Sequence, residues 1–118
     1  EASCPPGTTV QWGYMSWDVQ APSSSQADFQ ARSAKTTSDL KQAKWHTLGS
    51  AHSLPKDTQQ CKMTGPSPCP VDLTNKLGTD AYNRQHLELH AKLYPNKKKN
   101  KAPLIKNWHI TYSCPASE

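Results

Sequence analysis

Residues 80–95 read DAYNRQHLELHAKLYP, and whether this stretch coils or extends decides the class of the fold. Tyr82, His86, Leu89 and Leu93 recur at spacings of four, three and four, which marks one face of a helix. Asp80 stands where a cap belongs, and Tyr94-Pro95 ends the run because proline cannot continue a helix. Drawn out as a strand, the same residues would instead line up His86, Glu88 and His90. A helix is the expectation.

Downstream, Leu104, Trp108, Ile110 and Tyr112 share a period of two with Lys106 interrupting them, which predicts a strand over Leu104 to Cys114 with one apolar face. Upstream, Val71 to Leu77 reads as two helical turns stopped by Gly78. Near the start of the chain, Thr8 to Val19 alternates in two phases: Val10, Trp12 and Tyr14 in one, Met15, Trp17 and Val19 in the other. Gly13 sits at the change, and a glycine within a strand pattern marks a bulge that would swap the buried face. Ser25-Gln-Ala-Asp28 has the form of a capping box and predicts a short helix from Gln26 to Ala34 carrying Phe29. Ser38 then caps a second helix, with Leu40, Ala43 and Leu48 on one side and Gly49 as its stop. From Ser50 to Pro70 no periodicity survives among the prolines, so a long loop is expected.

The four cysteines form an outer couple, Cys4 and Cys114, and an inner couple, Cys61 and Cys69. An even count without C-x-x-C favours disulfides over metal ligation or redox chemistry. Of the three possible connectivities the nested one is chosen, because the inner two are close and the outer two would tie neighbouring terminal strands. In the loop-entropy account the outer bridge contributes roughly 4–5 kcal/mol and the inner about 2–3. At 118 residues, 34% of them hydrophobic, the core is thin enough to benefit from such links. The four tryptophans supply much of it. The expectation is a single secreted domain over residues 1–118. It is α+β: a small antiparallel sheet including both terminal strands, with two to four short helices and two disulfides. Glu1-Ala2 resembles the remnant of a processed secretion leader and is set aside.

Net charge is +5, and between Ala81 and Asn107 seven basic residues stand against the single acid Glu88. These are Arg84, Lys92, Lys97, Lys98, Lys99, Lys101 and Lys106. Such a face attracts RNA, acidic glycans or an anionic membrane surface through a field that salt weakens. The plainer reading of the lysines is a solvated loop that keeps the protein in solution. No apolar run approaches the length of a membrane span, and a monomer is expected.

His86, Glu88 and His90 are the densest titratable cluster. On a helix His86 and His90 would be one turn apart, yet no third metal ligand accompanies them, H-E-x-x-H is absent, and no metal or cofactor is assigned. His109 falls on the opposite phase of the last strand from Trp108. With His86 or His90 and with Glu88 it would complete an acid/base set, and Lys106 or Arg84 would steady the phosphate, which is sufficient for metal-independent RNA cleavage. Trp45, His46 and His52 offer no more than a pocket edge, with packing the plainer role for Trp45. No nucleophile elbow or phosphate-binding glycine loop occurs, which disfavours hydrolase, kinase and nucleotide-binding classes. The leading expectation is a secreted, effector- or toxin-like protein that binds an extracellular or host partner through its basic C-terminal region. The alternatives are a secreted endoribonuclease, and a proteinase inhibitor presenting the Cys61–Cys69 loop with Lys62 or Met63 exposed.

Overall fold

In the computed structural model, which describes residues 1–22, 25–52, 65–66 and 70–116, the chain runs mostly as β-strand. The strands are β1 (Gln11–Gln20), β2 (Gln26–Ala34), β3 (His46–His52), β4 (Gly65–Pro66), β5 (Val71–Asp72), β6 (His86–Tyr94) and β7 (Leu104–Ser113). Helix among the described residues is confined to α1 (Thr37–Leu40), α2 (Leu73–Leu77) and a 3-10 turn over Gly78–Ala81. In one antiparallel sheet β1 pairs with β7 and with the short β4 and β5; in the other the order is β3-β2-β6. The described residues are therefore mostly sheet, with the few short helices expected, and the sheet is larger than the small one the α+β expectation gave it.

The two terminal strands do lie side by side, as expected, and Cys4 is bonded to Cys114 beyond their ends. The pairing proposed for Cys61 and Cys69 lies outside the described residues. Within β1 the register slips between Trp12 and Met15. Val10 and Trp12 are buried before the slip, Met15, Trp17 and Val19 after it, and Tyr14 is turned out to solvent. Gly13 thus does what its place in the pattern implies.

Three expected helices are corrected. Gln26 to Ala34 is a strand, because Ala27, Phe29, Ala31 and Ser33 are all buried while Gln26, Asp28, Gln30 and Arg32 alternate with them on the other face. That period of two outweighs the helix propensity of alanine and the local capping box. Ser25 instead turns its hydroxyl back to donate to the Pro22 carbonyl at 2.6 Å. The helix expected from Ser38 to Gly49 shrinks to the four residues of α1, capped by Thr36, and Leu48 and Gly49 belong to β3. The segment from Asp80 to Tyr94 divides: Asp80 lies in the 3-10 turn and His86–Tyr94 is extended as β6, paired residue for residue with β2. Burial supplies the reason, since Leu87, Leu89 and Ala91 pack against the core at alternate positions. The helix expected at Val71 to Leu77 is present from Leu73, with Asp72 as its cap and Gly78 at a φ of 60° as its stop.

The sheets meet through small side chains. Phe29 of β2 stacks on Trp17 of β1 with ring centroids 4.7 Å apart, while Ala27, Ala31 and Ala51 let the backbones approach. Leu73 and Leu77 of α2 join the same buried cluster. So does Ala2, whose amide donates to the Gln85 carbonyl at 2.8 Å, and the first two residues therefore belong to the fold instead of standing apart from it. On β7, Leu104, Trp108 and Tyr112 are exposed, so the apolar face expected there is only partly covered.

Candidate functional site

Because β6 is extended, His86, Glu88, His90 and Lys92 fall on one side of it, and the pairing with β2 sets Arg32 opposite Glu88 and Gln30 opposite His90. Arg32 Nε donates to Glu88 Oε1 at 2.5 Å. Its guanidinium also lies 4.3 Å from the centre of the Trp45 ring, which in turn tilts against His90 with centroids 5.6 Å apart. A carboxylate, a guanidinium, an imidazole and an indole thus form one continuous patch on the outer face of the second sheet. Arg32 is mostly shielded and Glu88 half open, which is the arrangement of a held cation beside an accessible acid.

The other expected groups separate. His86 faces Glu1, with Nε2 3.0 Å from a carboxylate oxygen. His109 is on β7 in the other sheet, opposite Ser16, and exposed, so it does not join the β6 cluster through any contact among the described residues. Among the described residues no three His, Cys, Asp or Glu side chains gather where an ion would be held. His46 bonds Asp80 at 2.9 Å, and Asp80 also pairs with Arg84 at 3.0 Å. Arg84 donates to the Ser33 carbonyl, and Ser33 Oγ donates to the Asp80 carbonyl. Arg84 is therefore committed to holding the 3-10 turn on β2 and is not a free member of the basic face. The side chain of His52 lies outside the described residues.

The lysines sort by backbone. Lys92 approaches the Tyr94 ring to 5.3 Å, and Lys106 sits where β7 carries one extra residue relative to β1. Lys97, Lys98, Lys99 and Lys101 occupy the connection from β6 to β7, and all are exposed. Asn96 organises that connection from beneath and is only 8% exposed. Its Oδ1 accepts from the amides of Asn100 and Lys101, its Nδ2 donates to Asn100 Oδ1, its own amide donates to the Lys101 carbonyl, and its carbonyl accepts from Lys99. Lys99 adopts a φ of 57°, the left-handed conformation such a turn requires. The four lysines are thus displayed on a turn that the Asn96 backbone and side chain close through bonds to Lys99, Asn100 and Lys101.

Sequence reasoning does not single out Arg32, Trp45 or Asn96 for these roles. Arg32 carries a signal in its outward phase between Ala31 and Ser33, and Asn96 one in its place directly after Pro95 at the head of the lysine turn, whose bonds are all local; the contacts of Trp45 with Arg32 and His90 carry none short of the tertiary pairing. Between β6 and β7 runs a groove of about 410 Å³ whose apolar wall of Trp12, Leu87, Leu89, Trp108, Ile110 and Tyr112 is joined by the carboxylates of Glu1 and Glu88. No protein-family model matches the chain, and neither a curated protein nor a solved structure does. Among the described residues no helix is long and apolar enough to cross a membrane.

Proposed function

We propose that this protein is a secreted, effector- or toxin-like interaction protein that binds an extracellular or host polyanion through the lysine turn between β6 and β7. The observation that carries the reading is the Asn96 network. Fixing the backbone of a flexible loop on binding costs roughly 1–2 kcal/mol for each residue ordered, and a turn already closed avoids that cost although its lysine side chains must still be ordered. The disulfide between Cys4 and Cys114 fits life outside a reducing compartment. Lys97, Lys98, Lys99 and Lys101 repel one another weakly in salt, and an anion bound across them would relieve that repulsion. The test is retention on immobilised heparin, and on single-stranded RNA in parallel, across a salt gradient. Changing these four lysines to alanine is expected to abolish retention on the preferred matrix; unchanged retention overturns the reading.

A second reading, metal-independent RNA cleavage, is favoured by the alignment of Glu88 and His90 on β6 beside Arg32. Glu88 would take the proton from a 2′-hydroxyl as it attacks phosphorus, and His90 would protonate the departing 5′-oxygen, with Arg32 steadying the charged phosphorane. Incubation with RNA in the presence of chelator decides it: cleavage lost in both Glu88→Gln and His90→Ala supports it, and inert RNA rejects it. The inhibitor reading rests on Cys61, Lys62, Met63 and Cys69, all outside the described residues, and is taken no further.

A further inference from the structure

The lysine turn has apolar roots. β6 ends in Leu93 and Tyr94, β7 begins with Leu104, and only residues 95–103 lie between them. Strand pairing puts both roots where β1 passes into β2: Leu104 is opposite Gln20, the last residue of β1, and Tyr94 is opposite Gln26, the first of β2. Leu93 follows the phase that packs Leu87, Leu89 and Ala91 on the core, but it stands past the edge of that core and is 50% exposed. Leu104 is 56% exposed and Tyr94 37%. A lone exposed leucine is ordinary. Here, among the described residues, the large apolar side chains left in solvent are all aromatic except these two leucines, and both flank the same turn. The chain between 52 and 70 attaches at β3, β4 and β5, which border β2 and β1 on the edges away from β6 and β7. Around the leucines the charge has one sign: from Leu89 to Ser113 the sequence carries Lys92, Lys97, Lys98, Lys99, Lys101 and Lys106 and no Asp or Glu. The carboxylates nearest by pairing are Asp28, opposite Lys92, and Asp18, opposite Asn107. Both sit back from the strand ends, and Asp28 already accepts from Gln26 and Ser50.

We propose that this end of the molecule seats on an anionic bilayer surface, with the lysine turn among the headgroups and Leu93, Leu104 and Tyr94 reaching the boundary of the acyl chains. The proposal rests on the reading of the lysine turn as a polyanion site and names the polyanion. A sulfated glycan or a nucleic-acid backbone would pair with the ammonium groups and leave both leucines in water. A bilayer takes both kinds of group at once, because its anionic headgroups lie directly over apolar chains. Lysine suits that boundary, since its stem is apolar and its ammonium can stay with the headgroups while the backbone approaches. Tyrosine settles at the same depth, with its ring toward the chains and its hydroxyl toward water. Lys92 Nζ lies 5.3 Å from the centre of the Tyr94 ring, so a cation and an interfacial ring already stand together. Neither kind of group suffices alone: the attraction of the charges decays within ~8 Å in physiological salt, and two leucines bury too little area to hold a protein at a surface. Asn96 joins them, because the turn it closes over residues 96–101 sets lysines and leucines in one fixed surface.

The experiment is co-sedimentation of the oxidised full chain with vesicles of phosphatidylcholine alone and of phosphatidylcholine mixed with phosphatidylserine, with retention on heparin and on RNA measured beside it. Wild type is expected on the mixed vesicles only. The double variant Leu93→Ser, Leu104→Ser should lose affinity for them at least ~tenfold, while keeping the wild-type thermal transition and the wild-type retention on heparin. Leu104→Trp, which restores an interfacial side chain, should bind the mixed vesicles as well as wild type does. If the double variant fails to fold, Leu104→Ser against Leu104→Trp decides, and equal vesicle binding by those two overturns the proposal. Wild type held by heparin or RNA but not by the mixed vesicles overturns it, as does a double variant that binds them like wild type; in both cases the turn remains a polyanion site. Alanine at Lys97, Lys98, Lys99 and Lys101 should lose vesicles and heparin together, and if it loses neither, the underlying reading of the turn falls with the proposal.

Discussion

Gly13 faces Thr111 so closely that a Cβ built on the glycine would stand 2.8 Å from the threonine hydroxyl. That hydroxyl is already held, accepting from the Tyr14 amide at 2.9 Å, so it cannot swing aside without breaking the bond that supports the bulge. The bulge is what changes the buried phase of β1 from Trp12 to Met15. Gly13→Ala is therefore expected to destabilise by about 1–3 kcal/mol through overpacking at an interstrand contact. A denaturant titration with unchanged slope and a lowered midpoint is the expected result.

Cys4 and Cys114 are separated by 110 residues in sequence. Replacing both with serine should cost roughly 4–5 kcal/mol in the loop-entropy account, a large part of the ~5–15 kcal/mol typical of a domain. The double variant is expected to lose most of its cooperative thermal transition at physiological temperature.

Asp80 accepts from His46, pairs with Arg84, and through its carbonyl receives Ser33, tying the 3-10 turn to β2 and β3. Asp80→Ala removes the carboxylate partner of two mostly shielded groups and should destabilise by about 1–3 kcal/mol. Glu88→Gln, at a half-exposed partner of Arg32, should cost less than ~1 kcal/mol. Equal midpoint shifts for the two variants would contradict this assignment.

What sequence can convey follows the range of the interactions involved. The bulge at Gly13 and the Gly78 stop are local patterns, while the pairing of the terminal strands and the outer disulfide follow from the placing of Cys4 and Cys114 near the chain ends, and all four are present. The segments at Gln26–Ala34 and His86–Tyr94 read as helix because capping residues and spacings of three and four are also local. Their strand state comes from pairing with each other over 50 to 70 positions of chain, which no short window contains. Ala27, Ala31 and Ser33 are poor advertisements for a strand, yet their small size is what allows Phe29 to meet Trp17. The site obeys the same rule. Glu88 and His90 are recognisable as a cluster, but their companions Arg32 and Trp45 arrive from β2 and the segment before β3 only once the sheet exists.

The most direct measurement is heparin or RNA affinity of Asn96→Ala against wild type at fixed salt. This substitution leaves all four lysines and the net charge in place while removing the side chain that closes their turn. The account predicts a loss of affinity of roughly fivefold or more, comparable to leaving one backbone residue of the turn to be ordered on binding, with the salt dependence intact. Affinity equal to wild type would contradict it, because the lysines would then act as mere charge and their fixed presentation would be irrelevant.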